Sequence, residues 1–165
     1  MIFVTVGTHE QSFDRLIKEI DRLKEHGKIS DEIIIQTGFT NYEPKFCKWS
    51  KIFSYKDMMR NVSKAKIVIT HGGPSSFIMP LQLGKIPIVV PRKKYFGEHV
   101  NDHQVDFCNA VATRQENIIV VEDISNLEET ILNYKSIVSN MVNELRSNNV
   151  SFNKELECIV NEMFK

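Results

Sequence analysis

Cysteine is scarce in this chain. Cys47, Cys108 and Cys158 stand far apart, are odd in number and form no CxxC pair. That pattern excludes a zinc ribbon or a disulfide framework and reads as reduced thiols in a cytosolic chain. No run approaches the ~18 apolar residues of a membrane-spanning helix. The apolar stretch 2–6 is too short for a signal sequence and reads as a strand. An excess of charge is missing too. Lys plus Arg and Asp plus Glu both number 21, so no nucleic-acid or membrane-binding footprint is expected. Membrane association is therefore expected only through a partner. The first turn lacks GxGxxG, which disfavours a dinucleotide site, and the chain has no GxxxxGK[ST], which excludes a P-loop nucleotidase.

The 165 residues are 42% hydrophobic and 25% charged, the composition and length of one soluble domain. Residues 2–6, 32–36, 51–54, 67–70, 87–90 and 118–121 read as short apolar strands. Helical spacing joins Phe13, Leu16, Ile17, Ile20 and Leu23, with Thr8 and Gln11 as a capping box. A short helix is expected over 57–63 with Met58, Met59 and Val62 inward. A second runs over 74–83, with Pro at its first position and Gly84 past its end, and a third over about 99–110. Strands alternating with helices predict an α/β fold, a doubly wound open parallel sheet with helices on both faces.

The last quarter differs. Ser125 and Glu128 suggest a capping box, and Leu127, Ile131, Tyr134, Val138, Met141 and Leu145 lie on one face. Asn148 and Asn149 interrupt the stripe, and Phe152, Leu156, Ile159 and Met163 begin another. The division expected is an α/β domain over 1–125 and a helical extension over 126–165. The extension packs on its own sheet, faces another protein, or does both.

Three polar clusters follow strands and should meet at one sheet edge. The strongest is His71-Gly72-Gly73-Pro74-Ser75-Ser76, where a strand opens through glycines into a helix start. Unpaired N–H groups and the helix dipole favour a phosphate there, and the two serines add hydroxyl donors. The competing reading is a tight turn with a capping serine. The second cluster is Asn101-Asp102-His103-Gln104, in which Asn101 and Gln104 share a helix face and can meet ribose or phosphate. A solvated helix start is its bland alternative. His99 and His103 have zinc spacing, but Val100 stands where HExxH needs Glu and no third ligand is evident, so no metal is expected. The third cluster is Gly7-Thr8-His9-Glu10, whose His9 and Glu10 are the candidate general bases. Arg92, with Lys93 and Lys94, could offset diphosphate charge, and Phe39 and Tyr55 could stack on a base. Each of these is more often a solvated or packing residue.

The motifs MIFVTVGTHEQSFDRLI, ITHGGPSSF, LGKIPIVVPR and EHVNDHQ together resemble the glycosyltransferase family 28 C-terminal domain. More narrowly, the chain resembles bacterial catalytic subunits of exopolysaccharide and capsule synthesis. Those subunits are similar to the soluble subunit of the eukaryotic UDP-N-acetylglucosamine transferase. The resemblance covers residues 1 to about 125 and implies a Rossmann-like C-terminal half of a GT-B enzyme. It implies that Gly7, Thr8, His71, Gly72, Gly73, Pro74, Ser75 and Ser76 surround the UDP-sugar, with Asn101, Asp102, His103 and Gln104 at the donor. Where relatives often carry a Glu that grips the ribose, this chain has Met79.

The activity implied is inverting, metal-free and cofactor-free hexosyl transfer, with galactose in β-1,4 linkage the expected product, to a lipid-linked saccharide. A membrane-associated partner subunit would present that acceptor and hold this chain, otherwise cytoplasmic, at the inner face of the cell membrane. No nucleic-acid partner is implied, and a homo-oligomer is compatible with the reading. The alternative is a non-catalytic UDP-sugar-binding regulatory subunit. An epimerase of the same architecture is disfavoured by the single short lobe.

Overall fold

The computed structural model describes residues 1–141 and 149–163. Six parallel strands form one sheet: β1 (Ile2–Thr5), β2 (Ile33–Gln36), β3 (Lys48–Ser50), β4 (Ile67–His71), β5 (Ile88–Val90) and β6 (Ile119–Val120). Their order is β3-β2-β1-β4-β5-β6. The connections run outward in one direction up to β3 and in the other from β4, so the winding reverses between β1 and β4. That reversal opens a crevice at the carboxyl ends of these two strands. Their register pairs Thr5 with Thr70, which brings the loop after β1 beside His71.

Alternation along the strands divides the core. Ile2 and Val4 face α1 (Asp14–Glu25), whose Leu16, Ile17, Ile20 and Leu23 are buried against them, with Ile33, Ile35, Ile69 and Ile88. Phe3 and Val68 face the other way, onto Val62 of α2 (Tyr55–Lys64). Phe77 of α3 (Pro74–Gln82) and Cys108 of α4 (His103–Gln115) cover Val89 on that second face. Both faces of a parallel sheet are thereby closed, which is why the strands read as continuous apolar runs.

Several local expectations change. The third strand lies at 48–50 rather than 51–54. Ser54 instead caps α2, its hydroxyl accepting from the Asp57 N–H at 3.1 Å. The apolar Ile52 and Phe53 are thus free to line the crevice. Thr8 and Gln11 form no capping box, because α1 starts at Asp14 after Phe13. Residues 7–13 therefore remain an irregular loop. Asp21 on α1 is buried and accepts from the Tyr42 hydroxyl at 2.7 Å and from the Lys45 and Phe46 N–H groups at 2.8 Å each. It ties down the loop before β3.

The expected last helix is broken. Asp123, not Ser125, supplies the cap, accepting from the Ser125 N–H at 3.0 Å. The chain continues as α5 (Leu127–Leu132) and α6 (Tyr134–Asn140), divided at Asn133. Leu127 and Ile131 join the main core, and the Tyr134 hydroxyl donates to the Ile86 carbonyl at 2.7 Å. Leu145 and Asn148 lie outside the described residues, as does the side chain of Phe152. In α7 (Asn149–Met163), Leu156, Ile159, Val160 and Met163 are exposed.

Behind the crevice is a buried ionic knot. Arg92 follows β5 and is 1% exposed. Its guanidinium donates to the carbonyls of Gln11 (2.7 Å), Val6 (3.0 Å), Glu98 (3.1 Å) and Ser12 (3.3 Å). Glu98 is bidentate with Arg15 at 2.9 and 3.0 Å and also accepts from the Lys93 N–H. Arg15 donates in addition to the Pro91 carbonyl at 3.0 Å. The knot locks the loops after β1 and β5 to α1. Removing one member of a buried pair strands the other charge, at a cost of about 3–5 kcal/mol. Arg15→Met is therefore expected to lower the unfolding free energy by about that amount in urea titration; a loss below about 1 kcal/mol would show that Glu98 needs no counter-charge.

Candidate functional site

A cleft of about 480 Å³ opens at the winding reversal. Its polar side comes from Gly7, Thr8 and His9 after β1, His71 at the end of β4, and Ser75 and Ser76 at the start of α3. Its apolar side comes from Ile52, Phe53, Met58, Val62 and Met79. A larger hollow of about 620 Å³ lies at the opposite strand edge, around Ile2, Lys66 and Tyr134. There the Lys66 ammonium is already paired with Asp31 at 3.0 Å. The carboxyl edge is the one where parallel sheets place their chemistry, and it holds the sequence-predicted groups.

His71 is the keystone of the polar side. It is 8% exposed, and its ring is wedged between the two glycine turns. A Cβ at Gly7, whose φ is +72°, or at Gly73 would collide with that ring. Gly72 is crowded differently, since a Cβ there would stand 2.9 Å from the Cys108 sulfur and 3.0 Å from Gln104 Oε1. These glycines are thus required by close approach, which the bare motif only suggested. Burial, with the nearby Arg92 charge second, holds the His71 pKa down at about 4. At neutral pH the ring is uncharged and offers no cation to a phosphate. Its Nδ1 is buried and has no hydrogen-bond partner in the described structure.

The start of α3 is a more modest anion site than the sequence implied. Pro74 has no N–H, and the Ser76 N–H turns back to the Gly73 carbonyl at 3.0 Å. The hydroxyls of Ser75 and Ser76 are what this turn adds to the cleft. Positive potential comes from behind. The Arg92 guanidinium donates to backbone carbonyls and lies over the Phe13 ring, 4.8 Å from its centroid, so it is a buried brace rather than a ligand-facing group. Burial lowers its pKa to about 10, which still leaves it charged at neutral pH. Its charge acts on both His9 and His71, so its field reaches the cleft.

The second polar cluster is placed differently from the expectation. Helix α4 begins at His103, so Asn101 and Asp102 precede it and share no helix face with Gln104. Gln104 is buried behind Gly72, and its Oε1 accepts from the Arg92 N–H at 3.1 Å. Asp102 accepts from the Lys94 N–H at 2.8 Å, Asn101 sits 3.1 Å from His99 Nδ1, and His103 stacks on Phe107. All three are exposed and lie outside the cleft lining. His99 does reach the rim, with its ring 5.1 Å from that of His9. Glu10 is exposed outside the lining, as are Phe39 and Tyr55. Among the described residues no cluster of three or more metal-ligating side chains occurs.

His9 has its Nδ1 occupied, accepting from the Gln11 N–H at 3.1 Å. Its pKa is lowered, first by burial and then by Arg92 and His99, against a smaller opposite pull from Glu10. The apolar side had a weaker signal in the sequence. Met58 and Val62 were legible as a helix's inner face, but Ile52 and Phe53 had no marker of a site.

The depressed pKa of His71 has a consequence for stability. Folded, the ring takes a proton only near pH 4; unfolded, it does so near 6.5. The unfolded chain then binds more protons as pH falls through that window, so stability is present above pH 6.5 and lost toward pH 4. Between pH 7 and pH 5 the loss from this group is about 2 kcal/mol, and His9 adds to it in the same direction. Urea midpoints at the two pH values should show that loss in the parent and a clearly smaller one in His71→Asn. Equal losses would mean the ring is not the source.

The sequence profile of the glycosyltransferase family 28 C-terminal domain matches residues 1–160. The UDP-N-acetylglucosamine transferase subunit ALG13 of Homo sapiens is 33% identical over 114 residues, covering 64% of this chain and 10% of that protein. The chain thus spans about a tenth of that relative's length. Among solved structures, the glycosyltransferase SnogD from Streptomyces nogalater aligns with a TM-score of 0.47 at 17% identity, over 85% of this chain and 39% of that one. The glycotransferase of kitacinnamycin aligns with a TM-score of 0.56 at 10% identity, over 85% and 36%. The second likeness is one of α/β fold alone. With its profile matched along nearly the whole chain, this protein belongs to the glycosyltransferase family 28 C-terminal domain family.

Proposed function

We propose that this chain is the donor-binding subunit of a UDP-sugar glycosyltransferase whose acceptor half lies on another polypeptide. The observation that carries the reading is the convergence of Gly7, Thr8, His9, His71, Ser75 and Ser76 on one cleft at the winding reversal. Hydroxyl donors and the field of Arg92 suit a diphosphate, and the apolar wall of Phe53, Met58 and Met79 suits a base and ribose. An acceptor hydroxyl attacks the anomeric carbon, the bond from that carbon to the diphosphate oxygen breaks, and UDP leaves with the electron pair. The acceptor proton passes to a base. Donors around the diphosphate accelerate this step by holding charge that grows as the bond breaks.

The sugar proposed is a hexose, galactose in β-1,4 linkage, passed with inversion to a lipid-linked saccharide in capsule or exopolysaccharide synthesis. The relative named above makes UDP-N-acetylglucosamine the competing donor. The partner proposed is a membrane-associated subunit. No helix among the described residues is long and apolar enough to cross a membrane, and the exposed stripe of α7 offers that partner a surface. A non-catalytic, UDP-sugar-binding role is the second reading, favoured by Glu10 lying outside the cleft lining. Release of UDP from UDP-galactose or UDP-N-acetylglucosamine, with acceptor and partner present, separates the two.

The cleft itself is tested by calorimetric titration with UDP. The double change Ser75→Ala/Ser76→Ala should weaken binding by about tenfold or more, since each hydroxyl bonds a charged group. Unchanged affinity would remove this loop from the mechanism.

A further inference from the structure

We infer that His9 serves as a neutral hydrogen-bond donor, through its Nε2–H, to the diphosphate of the bound nucleotide, and that the proton acceptor for the reaction comes from outside this chain's cleft. The inference rests on the reading of the cleft as a nucleoside-diphosphate site and assigns the chemistry of one side chain in it.

The geometry begins at Gln11. Its backbone N–H points at His9 Nδ1 across 3.1 Å, and an N–H can only donate. The Nδ1 lone pair is therefore in use. A neutral imidazole carries one proton, which must then sit on Nε2. Neither ring nitrogen keeps a lone pair free to take a proton from an acceptor hydroxyl. Adding a proton at Nδ1 would set two donors against each other and break the Gln11 bond.

The chain is held on either side of this N–H. The Gln11 carbonyl, in the next peptide unit, accepts from the buried Arg92 guanidinium at 2.7 Å, and the same guanidinium holds the Val6 carbonyl just after β1. The imidazole is steadied on another side by His99, 5.1 Å away, which is itself linked to Asn101. The charged and titratable groups acting on His9 are Arg92, His99 and Glu10, and His71 shares the cleft lining. The two that resist protonation, Arg92 and His99, outweigh Glu10.

A ring pinned in this way has one polar atom left for a ligand in the cleft, Nε2, and that atom donates. Beside Thr8, Ser75 and Ser76, a fourth donor suits phosphoryl oxygens better than it suits an attacking hydroxyl. It adds to charge stabilisation without a proton that must be lost and regained between turnovers. Glu10 does not replace His9 as the base, because it lies outside the lining.

The test combines two readouts. Long-range ¹H–¹⁵N spectra of the labelled chain, with His9→Gln to assign the ring, report the tautomer at pH 8, with and without saturating UDP. The Nε2–H neutral form is expected in both conditions. Calorimetry with UDP then compares two variants. His9→Gln should stay within about threefold of the parent, because an amide N–H replaces the ring N–H, while His9→Ala should weaken binding about tenfold. An Nδ1–H tautomer, an imidazolium in the UDP complex, or equal losses in the two variants would overturn the role given to His9 while leaving the UDP site standing. A parent chain that binds no UDP at millimolar concentration would overturn both.

Discussion

One buried guanidinium sets the shape of this protein's working edge. Arg92 reaches from the end of β5 and donates to carbonyls in two irregular loops, the one after β1 and the one after β5. These loops flank β4, since the sheet places β1 on one side of it and β5 on the other. Irregular loops have no ladder to satisfy their carbonyls, and an arginine fork can satisfy several at once from a single rigid plane. Burying that charge is costly unless it is matched. Here the match comes from Glu98, itself held by Arg15, so the three form one unit. The unit ties the turn carrying His9 to the rim carrying His99.

The same unit explains how a cleft with no cation in its lining can suit an anion. His71 is uncharged, and the first turn of α3 has lost one donor to Pro74 and another to an internal bond. The positive charge sits one layer back, where Arg92 contacts the backbone and leaves the lining to hydroxyls and imidazole. A charge in that position is shielded from water, and its field is correspondingly less screened. Burial first, and this charge second, lower the pKa values of both His9 and His71.

The two parts of the carboxyl-terminal quarter have different roles in the fold. Leu127 and Ile131 complete the core, and Tyr134 bonds to the chain ahead of β5, so this part belongs to the α/β body. Leu156, Ile159, Val160 and Met163 repeat at helical spacing yet stay exposed on α7. An apolar stripe of that kind gains little by facing water, so it is suited to a surface that the body does not provide.

Most of the fold was legible along the chain because its causes are local. Apolar runs of four or five residues, glycines and prolines at fixed offsets, and the helical repeat of Leu16, Ile17, Ile20 and Leu23 depend on neighbours a few positions away. The glycine-rich turn after β4 was legible for the same reason. The misplaced third strand shows where this stops. Ile52 and Phe53 are apolar enough for a strand, yet they line the cleft, and no local signal separates the two uses.

The roles of individual side chains were settled by contacts far apart in sequence. Arg15 and Glu98 are separated by 83 residues, and Arg92 and Gln11 by 81. Arg92 looked like a group facing phosphate, and it is buried among backbone carbonyls. His9 looked like a free base, and the Gln11 N–H occupies its Nδ1. Composition and periodicity were enough for an α/β sheet with a loop able to approach an anion. Charge state, tautomer and exposure required the folded chain, because burial and the fields of distant groups exist only once it has closed.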